Sequence, residues 1–180
     1  MENQYEAPEE IEIDPAVEPQ EIISVTKFII LCFFTFGVYC LWWMYKAWRF
    51  FQQKQRLNIL PAARALFCII FLNSLFKNIL LFARKKDYSG SYVSEVLVAG
   101  YFILQIVGRL GGAYWLVPVL GFIFLVKPFQ ALNYAKMNSP ELVVIERSSF
   151  SGKQITLIIV GSILWFFGLI GLFGEIQGTP

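Results

Sequence analysis

The side chains that most often perform catalysis are scarce in this sequence. Its 180 residues contain no histidine, which excludes histidine general bases, histidine metal ligands and Ser-His triads. The cysteines Cys32, Cys40 and Cys68 lie within apolar runs, a pattern typical of packing rather than of a disulfide framework or a zinc site. No phosphate-binding loop or dinucleotide-binding glycine fingerprint occurs. We therefore predict a protein that is not an enzyme and that binds no metal or cofactor.

One group of aromatic and basic residues has a recognisable physical role. It follows a run that is uncharged from Phe28, and a helix of about 18 residues is about 27 Å long, close to the ~30 Å hydrocarbon core of a bilayer. Amphipathic rings interleaved with cations are expected where a span leaves lipid. The stretch 42–56 could also bind anionic headgroups, but we favour anchoring. The predicted interfacial anchors are Trp42, Trp43, Tyr45, Lys46, Trp48 and Arg49.

Four glycines share one face of the last apolar run. Gly161, Gly168, Gly171 and Gly174 follow one another at steps of seven, three and three, which places them in two adjacent strips of a helix. Glycines let helix backbones approach closely inside a membrane. We predict a helix-packing face there, suited to a helix of this chain or of a partner.

Composition places most of the chain in a membrane. The sequence is 57% hydrophobic and 16% charged, against about 25% charged residues in soluble domains. Residues 1–26 contain eight acidic residues and no basic one. We predict a disordered acidic tail over residues 1–24, because such a segment buries too little apolar surface to fold. A single helical membrane domain is predicted over 25–175, and a short tail over 176–180.

Hydropathy predicts an all-α, polytopic integral membrane protein. Four transmembrane helices are expected near 26–45, 93–109, 113–129 and 155–173. Pro118 is expected to kink the third. The pattern Ser151-x-x-Gln154 has the form of a capping box that opens the fourth.

Residues 62–82 are ambiguous between a span and an interfacial amphipathic helix. Asn73 and Lys77 are spaced i,i+4 and give the segment a polar stripe. If this segment lies on the membrane surface, thirteen basic residues fall on one side of the membrane and two on the other. If it spans, the basic residues other than Lys77 divide six against eight. The positive-inside rule therefore favours an interfacial helix, with both termini outside.

The position of the acidic tail leaves a second possibility open. A tail of about 25 residues must cross the membrane unaided if the first segment is one span. A hairpin-like first segment, bent at Gly37, would keep the tail inside.

Several motifs resemble a family of small polytopic bacterial inner-membrane proteins, a domain-of-unknown-function group. They are Thr35-Phe-Gly-Val-Tyr39 with the following Trp42 to Trp48 stretch, Pro61-Ala-Ala-Arg-Ala-Leu-Phe67, Tyr114-Trp-Leu, Pro128-x-Gln130 and Ile163-Leu-Trp165. The resemblance covers about residues 26–174. It implies a multi-pass protein of the bacterial inner (cytoplasmic) membrane and no known activity.

These observations leave two classes of function. A non-enzymatic membrane protein that acts through helix packing and partner binding needs packing faces and a basic interfacial belt, and the sequence contains both. The alternative is a subunit of a small-solute or ion transporter or channel assembled by oligomerisation. The expected partners are the lipid bilayer and a membrane protein or a second copy of the chain; no nucleic-acid partner is expected.

Overall fold

The computed structural model describes residues 13–178. Within these residues the chain is all-α, as predicted, with seven α-helices, one 3-10 helix and two short strands. The predicted tail positions 1–12 and 179–180 lie outside the described residues. In chain order the elements are β1 (Gln20–Ile22), α1 (Val25–Phe34), α2 (Val38–Lys54), α3 (Pro61–Leu66), α4 (Cys68–Arg84), α5 (Ser94–Val107), the 3-10 helix (Gly112–Phe122), α6 (Ile123–Met137), β2 (Val144–Glu146) and α7 (Gly152–Gly178).

The first predicted span is broken into a helical hairpin. Between α1 and α2, Phe36 and Gly37 adopt left-handed conformations with φ of 51° and 84°. The Gly37 N–H donates to the Cys32 carbonyl at 2.8 Å, the six-to-one hydrogen bond of a Schellman motif. The Thr35 hydroxyl donates to the Leu31 carbonyl in the last turn of α1 and accepts the Tyr39 N–H in the first turn of α2. The prediction of one continuous helix over 26–45 is therefore wrong.

The end of α2 returns to the segment that precedes α1. Arg49 forms an ion pair with Glu18, and the Lys54 ammonium lies 3.8 Å from the Asp14 carboxylate. The two helices are therefore antiparallel, as in the alternative of a bend at Gly37.

Backbone pairing and ion pairs gather several helix ends at one end of the molecule. β1 and β2 pair in parallel, with Gln20 opposite Val144. Glu141 accepts hydrogen bonds from Lys54 at 3.0 Å and from Lys86 at 3.1 Å. The start of α1, the start of α7 and the ends of α2, α4 and α6 therefore lie together. We call this region the polar end; it comprises residues 14–22, 49–54, 84–87 and 139–147.

The pairing corrects the prediction for the acidic tail. Residues 20–22, assigned to the disordered segment 1–24, form β1, and Ser24 caps α1 by accepting the Lys27 N–H at 3.3 Å. The tail sequence alone offers no partner, and the fold supplies one from more than a hundred residues away. The same contacts place residues 14–22 beside the ends of α2 and α4, not on the opposite side as the charge argument predicted.

Cysteine accessibility in membrane vesicles tests this topology. With the half-buried Cys68 replaced by serine, Ala16→Cys and Gln55→Cys are expected to react with an impermeant maleimide from the same side. Leu110→Cys, in the connection after α5, is expected to react from the other side. Labelling of positions 16 and 55 from opposite sides would restore a continuous first span.

Among the described residues, two stretches are long and apolar enough to cross a bilayer, Tyr114–Met137 with 24 residues and Gly152–Leu172 with 21. This corrects the predicted count of four. α1 and α5 are apolar but have 10 and 14 residues, about 15 and 21 Å against the ~30 Å hydrocarbon core. The predicted span 113–129 begins as the 3-10 helix, which contains Pro118, and continues past Pro128 to the end of α6.

The predicted capping box at the start of α7 is confirmed. The Ser151 N–H donates to the Gln154 side-chain oxygen at 2.9 Å, and the Gln154 N–H donates to the Ser151 hydroxyl at 3.3 Å. Each side chain thus satisfies one backbone N–H that has no partner within the helix. Local sequence therefore sets where α7 begins.

Residues 62–82 form two helices rather than the single amphipathic helix that was predicted. Phe67 separates α3 from α4. α4 packs against α6 and α5, and its stripe ion-pairs with the first turn of α5, from Lys77 to Glu95 at 2.6 Å. The prediction of one helix is therefore wrong, whereas its place at the membrane interface stays a prediction. The apolar face of α4 belongs to the core: Leu72, Leu75, Phe76, Ile79 and Phe82 are buried.

Aromatic side chains join α1, α2 and α6 at the centre of the core. The buried Phe28 ring stacks on Phe129 at a centroid distance of 4.2 Å and meets Trp43 edge-on at 5.8 Å. Such pairs add about 0.5–1.5 kcal/mol beyond the area they bury. Trp43 of α2 also meets Phe129 of α6 at 6.0 Å, and these two rings line the cavity described below.

Candidate functional site

Two of the predicted anchors on α2 point into the core. Trp43 and Trp48 are 7% and 1% exposed. The Arg64 guanidinium of α3 lies 4.5 Å from the centroid of the Trp48 ring, a cation–π contact. The structure thus gives these two rings packing partners within the chain.

The other predicted anchors form an outward-facing group on α2. Trp42 is 51% exposed and its ring lies 5.3 Å from that of Tyr45. The Lys46 ammonium is 5.8 Å from the Trp42 ring, and Arg49 donates to the Tyr45 hydroxyl at 3.1 Å. Two rings are followed by two cations along this face, so lipid anchoring by Trp42, Tyr45, Lys46 and Arg49 stays a prediction with suitable geometry.

The glycines of α7 divide into two pairs. A Cβ atom built on Gly161 would lie 1.9 Å from the Phe34 carbonyl oxygen, so α1 and α7 touch backbone to backbone there. Between the first two glycines, the Trp165 indole N–H donates to a carbonyl of α1 at 3.1 Å. A Cβ on Gly168 would lie 3.1 Å from the Trp115 ring. These two glycines therefore face neighbours within the chain.

The remaining glycines face open space. Among the described residues, no atom lies within 4 Å of a Cβ built on Gly171 or Gly174. In the most apolar 18-residue window of Gly152–Leu172, only 6% of the residues are buried, and the outward side chains are large and apolar. Among the most exposed are Ile159, Ile163, Phe166, Phe167 and Ile170, each more than half exposed. α7 thus carries an uncovered apolar face, which we call the outer face of α7.

A cavity of about 490 Å³ opens between α2, α6 and the first turns of α7. This volume lies in the range of small-molecule and cofactor sites. Three lysines line it, Lys46 from α2, Lys136 from α6 and Lys153 from α7. Its one acidic lining residue, Glu21, is engaged by Arg147 at 2.6 Å. The cavity is therefore positively charged.

Lys136 is the unusual member of this set. Lys136 is only 7% exposed, and its ammonium lies 4.6 Å from the centroid of the Phe50 ring. Among the side chains that the structure describes between residues 13 and 174, no carboxylate lies within 4.0 Å of any of the three cavity lysines. Burying a cation without an anion costs several kcal/mol, so Lys136 is suited to receive an anion from outside the chain.

The wall of the cavity away from the lysines is apolar. Phe129 and Leu132 of α6 form its floor, while Val38 and Trp42 of α2, 64% and 51% exposed, form an open rim. On the facing side lies Leu157 of α7, which is 44% exposed. The cavity can therefore hold an anionic group at the polar end and an apolar chain toward the middle of the molecule.

A second cavity of about 590 Å³ lies on the other side of the α1–α2 turn. Tyr101, Gln105 and Arg109 of α5 and its C-terminal connection line it, and Val38 lines both cavities. Gln105 donates to the Pro118 carbonyl at 3.3 Å, so its amide is engaged in joining α5 to the 3-10 helix.

Sequence reasoning did not single out Lys136. The signal was present, because Phe129, Leu132, Asn133 and Lys136 follow one another at the i, i+3, i+4 and i+7 spacing of one helix face. A lysine at a position that continues a buried apolar stripe is expected to have a nearby counter-charge.

Within the described residues, no three His, Cys, Asp or Glu side chains are grouped to hold a metal ion.

Membership of the family that the motifs resemble stays a prediction. No protein-family model, curated protein or solved structure matches this chain.

Proposed function

We propose that the chain is a non-enzymatic, multi-pass protein of the bacterial inner membrane that acts by packing against a partner within the membrane. Membership of the family that the motifs resemble is part of this proposal. The absence of histidine and of a nucleophile–base pair in the sequence supports a non-catalytic role.

The observation that carries the proposal is the outer face of α7. This helix docks on α1 along one side only and presents its other sides as exposed apolar surface. Lipid tails are as apolar as these side chains, so association there depends on close van der Waals packing. Gly171 and Gly174 continue the glycine strip beyond its contact with Trp115 and leave room for a second backbone.

Site-specific photo-crosslinking tests this function. A photoreactive amino acid in place of Phe167, 64% exposed, is expected to crosslink in native membranes to a protein, either a second copy or a partner that mass spectrometry identifies. Gly171→Leu is expected to reduce that crosslink severalfold, because its side chain fills the space a partner backbone needs. The control is Ser162→Leu, on an exposed part of α7 outside the glycine strip. Crosslinking to lipid alone, or equal yields from both variants, would contradict the proposal.

One observation favours the second candidate, a small-solute or ion transporter subunit. The two cavities share Val38 as a wall and lie on either side of the hairpin turn, so a movement of this turn would connect them. Reconstituted vesicles that show a solute or ion flux above that of empty vesicles would favour this candidate over partner packing.

A further inference from the structure

Four cations at the polar end that do not line the cavity are paired with carboxylates. Arg49 and Arg147 pair with glutamates, and Lys54 and Lys86 share Glu141. The three lysines that line the cavity have no such partner among the described residues. Arg84 and Lys85 also lack a carboxylate partner among the described residues, but they are exposed, whereas Lys136 is buried. A buried, unpaired lysine in the cavity wall indicates that the cavity is suited to receive a negative charge.

We propose that this cavity binds an anionic phospholipid, with its phosphate at Lys136 and an acyl chain along the apolar wall. The proposal goes beyond the partner contact of α7 and does not depend on it. Lys46 and Lys153 add positive charge at the mouth, where each cation near a lipid surface attracts anionic headgroups.

The shape of the cavity favours a lipid over a soluble anion. A free phosphate would need only the lysines, whereas Val38, Trp42 and Leu157 add an apolar rim that is exposed to the surroundings of the helices. Trp42 also belongs to the outward-facing group on α2 that is suited to headgroup depth. A phospholipid entering between α2 and α7 would therefore bring its phosphate and its acyl chain to matching walls.

Native mass spectrometry of the full chain in mild detergent measures the binding. The probes are dioleoylphosphatidylglycerol, which is anionic, and dioleoylphosphatidylcholine, which has no net charge. The parent is expected to prefer the anionic lipid by about tenfold or more, and Lys136→Met is expected to lose about tenfold of its affinity, the effect of one charge-assisted hydrogen bond. Lys85→Met is the matched control, since it removes the same charge from an exposed side chain at the polar end.

Thermal unfolding separates loss of binding from loss of fold. The anionic lipid is expected to raise the unfolding midpoint of the parent and of Lys85→Met, because a ligand that binds only the native state stabilises it. It is expected to leave the midpoint of Lys136→Met unchanged. Without lipid, Lys136→Met is expected to unfold at no lower temperature than the parent, because it removes an unpaired buried charge.

Three outcomes would overturn the proposal. The first is a Lys136→Met variant that keeps the parent's preference for the anionic lipid. The second is a parent that does not distinguish the two lipids. The third is an equal rise in the parent's midpoint with soluble glycerol phosphate at matched concentration, which would assign the lysines to a soluble anion instead.

Discussion

Gly161→Leu is expected to separate α7 from α1 and to lower the stability of the protein by about 3 kcal/mol or more. Even the first added carbon would lie 1.9 Å from the Phe34 carbonyl oxygen. That obstacle is backbone at the end of a helix, so it cannot move aside as a flexible side chain can. The displaced helix would also lose the Trp165 hydrogen bond to α1 and the stack of Trp165 on Phe33 at 4.6 Å.

The matched control for this change is Gly171→Leu on the same helix. No atom of the part of the chain that the structure describes lies within 4 Å of a Cβ at that position, and leucine is favourable both in helices and in lipid. Its stability is expected to stay within about 0.5 kcal/mol of the parent. Thermal unfolding in detergent, followed by helical circular dichroism, measures both variants. Equal midpoints for the two would show that α1 and α7 do not touch.

The second large effect is expected at Glu141, which joins three parts of the polar end. Its carboxylate accepts from Lys54 of α2 and from Lys86, just after α4, and its backbone carbonyl accepts the Asp14 N–H at 3.1 Å. Glu141→Gln is expected to cost about 1–2 kcal/mol, since it leaves two partly buried ammonium groups without their shared counter-charge. Glu146→Gln, which removes an exposed carboxylate nearby, is the control and is expected to change little.

The same carboxylate gives the protein a defined acid sensitivity. Burial alone would raise the pKa of the Glu141 carboxyl. A backbone hydrogen bond and the hydrogen bonds from Lys54 and Lys86 outweigh that effect and lower the pKa from its ordinary 4.5 to about 2. Because the folded state holds this proton more weakly than the unfolded chain does, the stabilisation is fully present above pH 4.5. It is lost as the pH falls from about 4.5 to about 2.

Unfolding midpoints measured across this pH window check the assignment. The parent is expected to lose stability more steeply than Glu141→Gln below pH 4.5, and the two are expected to converge near pH 2. Parallel curves would mean that Glu141 does not bind protons differently in the folded and unfolded states.

The lysine-lined cavity and the outer face of α7 can be altered by separate substitutions. Gly171→Leu alters the outer face of α7 and leaves the cavity lysines in place. Lys136→Met alters the cavity and leaves α7 in place. Partner contact and lipid binding can therefore fail or succeed independently.

Local sequence determined the elements whose signals depend on near neighbours. The all-α class follows from long apolar runs, and the start of α7 follows from a capping box that Ser151 and Gln154 complete within one helical turn. The end of α1 also has a local cause, since Phe36 and Gly37 form a Schellman turn. Hydropathy could not identify that turn as a reversal, because an apolar run has the same hydropathy whether it is straight or folded back.

Only the tertiary structure decided the features that depend on residues far apart in the chain. Ile22 in β1 pairs with Glu146, so the acidic tail gains order from a strand it meets only after folding. Gly161 packs against α1 within the chain and Gly171 does not, although both lie in the same apolar run, because α1 ends beside the first of them. Lys136 lines a cavity because α2 and α7 stand apart in front of α6. The sequence specifies the side chains on each face of a helix. The positions at which the helices end and pack against one another decide which of those side chains have partners.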